Sequence, residues 1–323
     1  MHTAPVPRTG AVVLRRLARG STHMWDNIAL LIAAPVLNIQ LLLDGLLIGA
    51  IFALAAYGLA LVWGVMNVKN LCQGDFVIMG GYMAYVLQLN GIHPIVGLPV
   101  AVVFMFIFGW AIYRLIIVRV IGRELFTSLL ATFGLAIVIQ QLLNVIFGPE
   151  VRTAESGFAT MMFFGGMVSI SQIKIVSLVL AGLLAAAIVV FMKYSRMGQS
   201  IRATAQNARA AQIMGIDTDR VYAFTYALNA SICGAAGVLI SMIWVLQPYY
   251  GIVYSIRSFV IVTAAGLGNL PGVIIAGLGL GAAEQFSGFI LGATFQQATV
   301  VVLLLLVLIY RQAQMRRQRQ AVI

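Results

Sequence analysis

The fold class the chain predicts is all-α: a polytopic transmembrane helical bundle of about eight or nine spans, some of them short or broken. Three observations predict it. Of 323 residues, 62% are hydrophobic and 9% charged, against about 45–50% and about 25% in an ordinary soluble domain. So little polar surface could not cover a soluble core of this size. Secondly, apolar runs of spanning length follow one another, and a hydrocarbon layer of about 30 Å takes about 20 helical residues. The runs are continuously apolar rather than alternating, which favours helices over a barrel. Thirdly, Lys and Arg crowd into every second connecting segment.

Taken in order, residues 1–24 carry Arg8, Arg15, Arg16 and Arg19 with no acid, and read as a basic, flexible tail. No clean apolar core and small-residue cleavage site follows, as a signal peptide would need. The first apolar run, 28–37, is too short to span alone and is interrupted by Pro35, Asn38 and Gln40. Spans are expected over roughly 40–66, 96–118, 126–147, 172–192, 222–246, 272–291 and 294–310, each near the length a bilayer requires. Two shorter apolar stretches, 76–88 and 253–267, read as short, tilted or broken helices. The membrane unit is therefore 25–310, with a polar loop at about 193–221 and a basic tail at 311–323.

Cationic residues set the expected orientation. With the 193–221 loop in the cytoplasm, Lys69, Arg114, Arg119, Arg123 and the tail's Arg311, Arg316, Arg317 and Arg319 are there too. The opposite loops then hold Arg152, Lys174 and Arg257, a positive-inside asymmetry. The net charge of +11 is thus a record of orientation, with attraction to anionic membrane lipid, rather than a nucleic-acid surface. The N-terminal side stays open, because an inside start needs residues 28–40 to contribute a further crossing.

Charge inside a span is costly, and the acids near the apolar runs are Asp44, Asp75 and Glu284. Glu284 reads as an interfacial or helix-paired acid, with a functional role the alternative. No His relay, acid ladder or repeated intramembrane Arg is present, which argues against a proton pump or voltage sensor. Cys72 and Cys233 read as buried thiols, and His2, His23 and His93 form no ligand cluster. Asn70 and Gln73 lie in a polar break at 67–75. Thr132, Gln140 and Asn144 share one face of the 126–147 span. That face points to another helix or to a wet path. Glycines at Gly45 and Gly49, and at Gly277 and Gly281, suit close helix approach. The accumulation around Pro271 marks a tight break at 268–272. No GxSxG, HExxH or paired intramembrane aspartates point to an enzyme, and without a GxxxxGK[ST] loop the chain is not expected to hydrolyse ATP. Within the 193–220 loop, residues 203–214 read as one short helix ended by Gly215. Its stripe of Ala203, Ala210, Ile213 and Met214 could dock into a partner's groove.

Four ordered blocks carry a resemblance. DGLLIGAIFALAAYGLALVWGVMNVKNLCQGDFVIMGGY (44–82) is a Gly-rich span followed by a polar break. ATFG (131–134) precedes Gln140, and RATAQNARAAQIMGIDTDRVYAFTYAL (202–228) is the loop. AAGLGNLPGVIIAGLGLGAAE (264–284) is Gly-rich and closes on Glu284. From about residue 40 to 311 the chain resembles permease subunits of branched-chain amino acid ABC importers. The resemblance implies a pathway built by two permeases, as a hetero- or homodimer. Two cytoplasmic ATPase subunits would bind the ATP, so no cofactor is expected on this chain. A periplasmic solute-binding protein would deliver the amino acid across the bacterial inner membrane. It also implies an ATPase-coupling set at Arg209, Ala210, Ala211, Met214, Gly215 and Asp217, with Arg209 where the family has an acid. Asn70, Gln73, Thr132 and Gln140 are the candidates for lining the translocation path. Related importers carry urea, short amides or other amino acids. A stand-alone secondary carrier or channel, with a midplane site at the broken helices, is the reading from another class.

Overall fold

The computed structural model describes residues 24–155, 157–163, 168–266 and 268–320. The basic tail at 1–23 and the side chains beyond residue 312 lie outside the described residues. Among them, seven helices are long and apolar enough to cross a membrane. The elements are α1 (Met24–Ala33), α2 (Pro35–Met66), α3 (Gln73–Leu89), α4 (Gly97–Leu115), α5 (Leu125–Phe147) and α6 (Gln172–Tyr194). After these come α7 (Arg196–Gln206), α8 (Ala208–Ile213), α9 (Thr218–Ser241), α10 (Gly251–Ala265), α11 (Leu270–Leu291) and α12 (Phe295–Gln320). Between α5 and α6 a small antiparallel hairpin pairs β1 (Thr160–Phe163) with β2 (Val168–Ser171).

Every expected span is a helix, and both short stretches are helices as well. α3 and α10 have 17 and 15 residues, or about 26 Å and 23 Å at 1.5 Å per residue, less than a hydrocarbon layer. Pro35 divides the 28–37 run, as expected, whereas Asn38 and Gln40 do not interrupt the helix that follows. The proline occupies the first turn of α2, where a missing N–H costs nothing, and α2 runs on for 32 residues. The helix α1 lies against the far end of α11, where the Asn27 amide donates to the Phe289 carbonyl at 2.9 Å. The tail expected at 311–323 is not separate in its backbone, because α12 continues helical to Gln320.

Two ends of the bundle are defined by contacts. At one end Arg114 pairs with Asp219, the Arg202 guanidinium meets the Lys193 carbonyl, and Arg311 stands beside Gly266. At the other, Lys174 pairs with Asp44 at 2.6 Å, Gln40 bonds Ser169, and Arg152 pairs with Glu150 and bridges to Leu246. Arg114, Arg202 and Arg311, all expected on one side, therefore stand at the first end. Arg257, expected in a loop of the opposite end, stands within α10 instead.

Helices α2 and α9 are the buried axis. From Ile51 to Val62 every residue of α2 is buried, and α9 is closed through most of its length. An axis can be enclosed only if its neighbours come close, and between apolar helices in lipid that closeness is itself the driving force. The α2–α11 seam supplies it. A Cβ on Gly49 would stand 2.6 Å from the Gly277 carbonyl oxygen and 2.9 Å from the Leu278 Cα. The Gly45 and Gly281 pair one turn further on is as tight. Gly49→Leu is therefore expected to separate the helices at a cost of about 1–3 kcal/mol, read as a lower thermal unfolding midpoint in detergent. Gly134→Ala, at an open position on α5, leaves the midpoint unchanged or slightly raised.

Candidate functional site

The break at 67–75 enters the middle of the bundle. Met66 ends α2, Asn67 turns the chain in the left-handed region at φ 53°, and its N–H caps the helix through the Trp63 carbonyl. Asparagine tolerates this conformation better than other residues with a Cβ. Residues 68–72 then return as irregular backbone to the level of Ala55, where α3 begins. Backbone polar groups at this depth must find partners in the protein, and polar side chains supply them. The Leu71 N–H donates to the Thr132 hydroxyl at 3.2 Å, and that hydroxyl lies 3.3 Å from the Lys69 carbonyl. The Ser255 hydroxyl on α10 donates to the Leu71 carbonyl at 2.7 Å and accepts from the Gly74 N–H at 2.8 Å. Asn70 accepts from the Cys72 N–H through its own side chain. The Gln73 amide donates to the Ala55 carbonyl at 2.8 Å and reaches the Cys233 sulfur at 2.9 Å. A Cβ on Gly74 would overlap the Gly251 carbonyl, and one on Gly251 would overlap Asp75.

The structure thus brings the four path candidates to one place. Asn70, Gln73 and Thr132 are fully buried, and Gln140 is half-buried. The Gln140 amide donates to Asp75 Oδ1 at 2.9 Å. In this conformation three of the four are therefore packed within protein rather than open on a channel. Their immediate work is to hold irregular backbone inside the bundle. Several buried polar atoms remain without a protein partner here, including Asn70 Nδ2, Gln73 Oε1, Asp75 Oδ2 and Asn229 Nδ2.

Each acid near the apolar runs has a partner. Asp44 has Lys174 and Asp75 has Gln140. Glu284 has Arg257, in a fork of Nε to Oε1 at 2.7 Å and Nη2 to Oε2 at 3.1 Å. Glu284 is thus a helix-paired acid in the interior and not at an interface, because α11 carries it seven positions short of its end. The Arg257 guanidinium also stands over the Phe52 ring at 4.8 Å and the Tyr254 and Trp244 rings at 5.6 and 5.7 Å. Aromatic faces attract a desolvated cation. Ser255 and Arg257 were overlooked as site residues, though polar groups in a short apolar run must face protein or water.

The loop at 193–221 is an elbow of two helices. Ser195 caps α7 by accepting from the Gly198 N–H. The expected single helix at 203–214 is broken at Asn207, whose side chain accepts from the Ala210 N–H and starts α8. Asparagine competes for backbone groups and so favours such a cap over a helix interior. α8 ends at Ile213, and Gly215 turns at φ 84° while the Ile216 N–H returns to the Ala211 carbonyl. Asp217 caps α9 through the Arg220 N–H. Ala211 packs inward at 4% exposure, whereas Ile213 and Met214 are each 81% exposed and Arg209 and Ala210 face outward beside them. The outer face of the elbow is therefore apolar and unpartnered among the described residues. Ala203 is half-buried on α7.

Residues 41–310 match the family described as branched-chain amino acid transport system / permease component. The high-affinity branched-chain amino acid transport system permease protein LivH of Escherichia coli is 29% identical over 285 residues, covering 84% of this chain and 92% of its own. BraD of Pseudomonas aeruginosa, with the same description, is 26% identical over 287 residues, covering 84% and 94%. A probable branched-chain amino acid transport permease protein LivH of Methanocaldococcus jannaschii is 29% identical over 271 residues, covering 79% and 83%. No solved structure matches the chain. The chain belongs to this permease family and is a multi-pass membrane protein.

Removing one member of a buried ion pair costs about 3–5 kcal/mol, mainly because the other charge is stranded. Arg257→Ala and Glu284→Ala are each expected to lower the unfolding midpoint sharply. Arg257→Met with Glu284→Leu should recover most of the loss. Additive losses in that double variant would show that the two residues act separately.

Proposed function

We propose that this chain is one permease subunit of an ATP-driven importer in the bacterial inner membrane, moving branched-chain or related amino acids. The supporting observation is the α7–α8 elbow, an exposed apolar face set among arginines at the cationic end of a bundle of this family. A short amphipathic helix of this kind fits a groove on a partner. The partners are two cytoplasmic ATPases, which bind the ATP, and a second permease, identical or related. A periplasmic solute-binding protein delivers the solute. The cationic end and the C-terminus face the cytoplasm, in keeping with the positive-inside bias.

In this reading the coupling contact is divided between two faces. Arg209, Ala210 and Met214, with Ile213, touch the ATPase. Ala211, Gly215 and Asp217 hold the elbow in shape from within, through inward packing, the left-handed turn and the α9 cap. Arg209 presents a cation where relatives of this family present an acid, so its ATPase groove carries the complementary sign. The solute path runs beside α5. Gln140, the half-exposed member of the polar set, meets it first, and Asn70, Gln73 and Thr132 become accessible only when the break opens. Alternating access is then a movement of helix bundles driven through the elbow. Specificity for a branched-chain amino acid over urea or a short amide rests largely with the binding protein.

The test is uptake into liposomes by the chain reconstituted with its second permease, ATPases and binding protein. Met214→Asp and Ile213→Asp should each lower ATP-dependent uptake at least tenfold, with unfolding midpoints unchanged because both side chains are exposed. Uptake that persists at full rate in these variants would remove the coupling role. Ion-gradient-driven uptake by the chain alone would replace the whole reading with a secondary carrier.

A further inference from the structure

Two cavities lie between α2, α6 and α11, and they are one cleft. The first has a volume of about 360 Å³ and the second about 350 Å³, and both are lined by Tyr57, Val189 and Ile274. Helices α6 and α11 both pack on α2, leaving between them a gap that is open to the side and floored by α2. Ala181, Gly182, Ala185 and Ala186 make the α6 wall shallow. The lining is apolar along its length until the cationic end of the bundle, where Lys193 and Arg202 stand at the mouth. No acid lines either cavity. The Arg202 Nη2 donates to the Lys193 main-chain carbonyl at 3.3 Å, which ties the guanidinium to the end of α6, while the Lys193 ammonium stands over the Tyr194 ring at 5.2 Å.

We infer that this cleft binds an anionic phospholipid, with one acyl chain lying between α6 and α11 and the phosphate held by Lys193 and Arg202. Length and charge carry the assignment. From Leu178 to Lys193 the α6 wall covers 15 helical steps, about 22 Å at 1.5 Å per residue. Half of a bilayer including its headgroup layer is about 20–22 Å. The cleft is therefore as long as one leaflet is thick, and its cations stand where that leaflet's phosphates lie. A neighbouring apolar helix would fill the small-residue wall but would gain nothing from two cations at one end. Guanidinium and ammonium groups bind phosphate through charge-assisted hydrogen bonds, and basic pockets between helices at the cytoplasmic side suit anionic headgroups. The site does not depend on which solute the protein carries.

Native mass spectrometry of the full chain, extracted from membranes and exchanged into mixed micelles, tests this directly. The probes are phosphatidylglycerol and phosphatidylcholine of equal chain length. Wild-type protein should retain phosphatidylglycerol at least tenfold more strongly. Lys193→Glu with Arg202→Glu should abolish that preference while leaving the weak phosphatidylcholine signal in place. Ala185→Phe keeps both cations and fills the cleft, so it should lower retention of phosphatidylglycerol; unchanged unfolding midpoints establish that each variant is folded. Equal retention of the two lipids by wild-type protein would overturn the inference. So would full phosphatidylglycerol retention in Ala185→Phe, or loss of subunit association in that variant with lipid binding intact, which would make the cleft a helix-docking surface.

Discussion

The constraint on which this structure turns is that irregular backbone inside a bilayer must be hydrogen-bonded by the protein itself. Between Met66 and Gln73 the chain leaves helical geometry and re-enters the bundle, where water is scarce. Thr132 comes from α5, Ser255 from α10, Ala55 from α2 and Cys233 from α9. Four helices are therefore tied to one short segment, and their relative heights follow from those bonds. An orphaned backbone group there would cost about as much as a lost buried hydrogen bond. The polar residues of this apolar chain are in that sense a scaffold before they are anything else.

Small residues make the scaffold possible. The axis helices α2 and α9 could not be enclosed without close approach along the Gly49–Gly277 seam, and α3 could not start beside α10 without Gly74 against Gly251. Side-chain charge is handled by pairing. The Arg257–Glu284 fork satisfies two ions at once and adds three aromatic faces, so α10 is locked to α11 deep in the bundle. Movement is then easiest to place outside these ties. The α7–α8 elbow and the half-exposed face of α5 are open on one side, as segments that must shift or dock need to be.

Much of this was legible in the chain. Spanning runs are local: twenty apolar residues declare a membrane helix whatever they touch. The same holds for the turn at Gly215 and for the break near Pro271, since backbone preference resides in the residue. Pro35 divides the 28–37 run as read, whereas Asn38 and Gln40 do not, since both sit inside the helix that the proline starts. Asn207 misled, since its amide can sit on a helix surface or cap a new helix. Arg257 was assigned to a loop because the cost of burying it disappears only when Glu284, 27 residues away, lies opposite.

By itself the sequence determined the class of molecule, its number of long spans, the end that gathers cations and the four blocks of family likeness. Each depends on composition or on spacing within a few turns. The tertiary structure decided which polar groups meet. It showed that the path candidates surround one broken helix, that Ala211 faces inward while Met214 faces out, and that each intramembrane acid has a partner. The physical reason is range. Helix formation and membrane burial are decided by neighbours along the chain, whereas a hydrogen bond or ion pair at low dielectric depends on ångström placement of residues far apart in it.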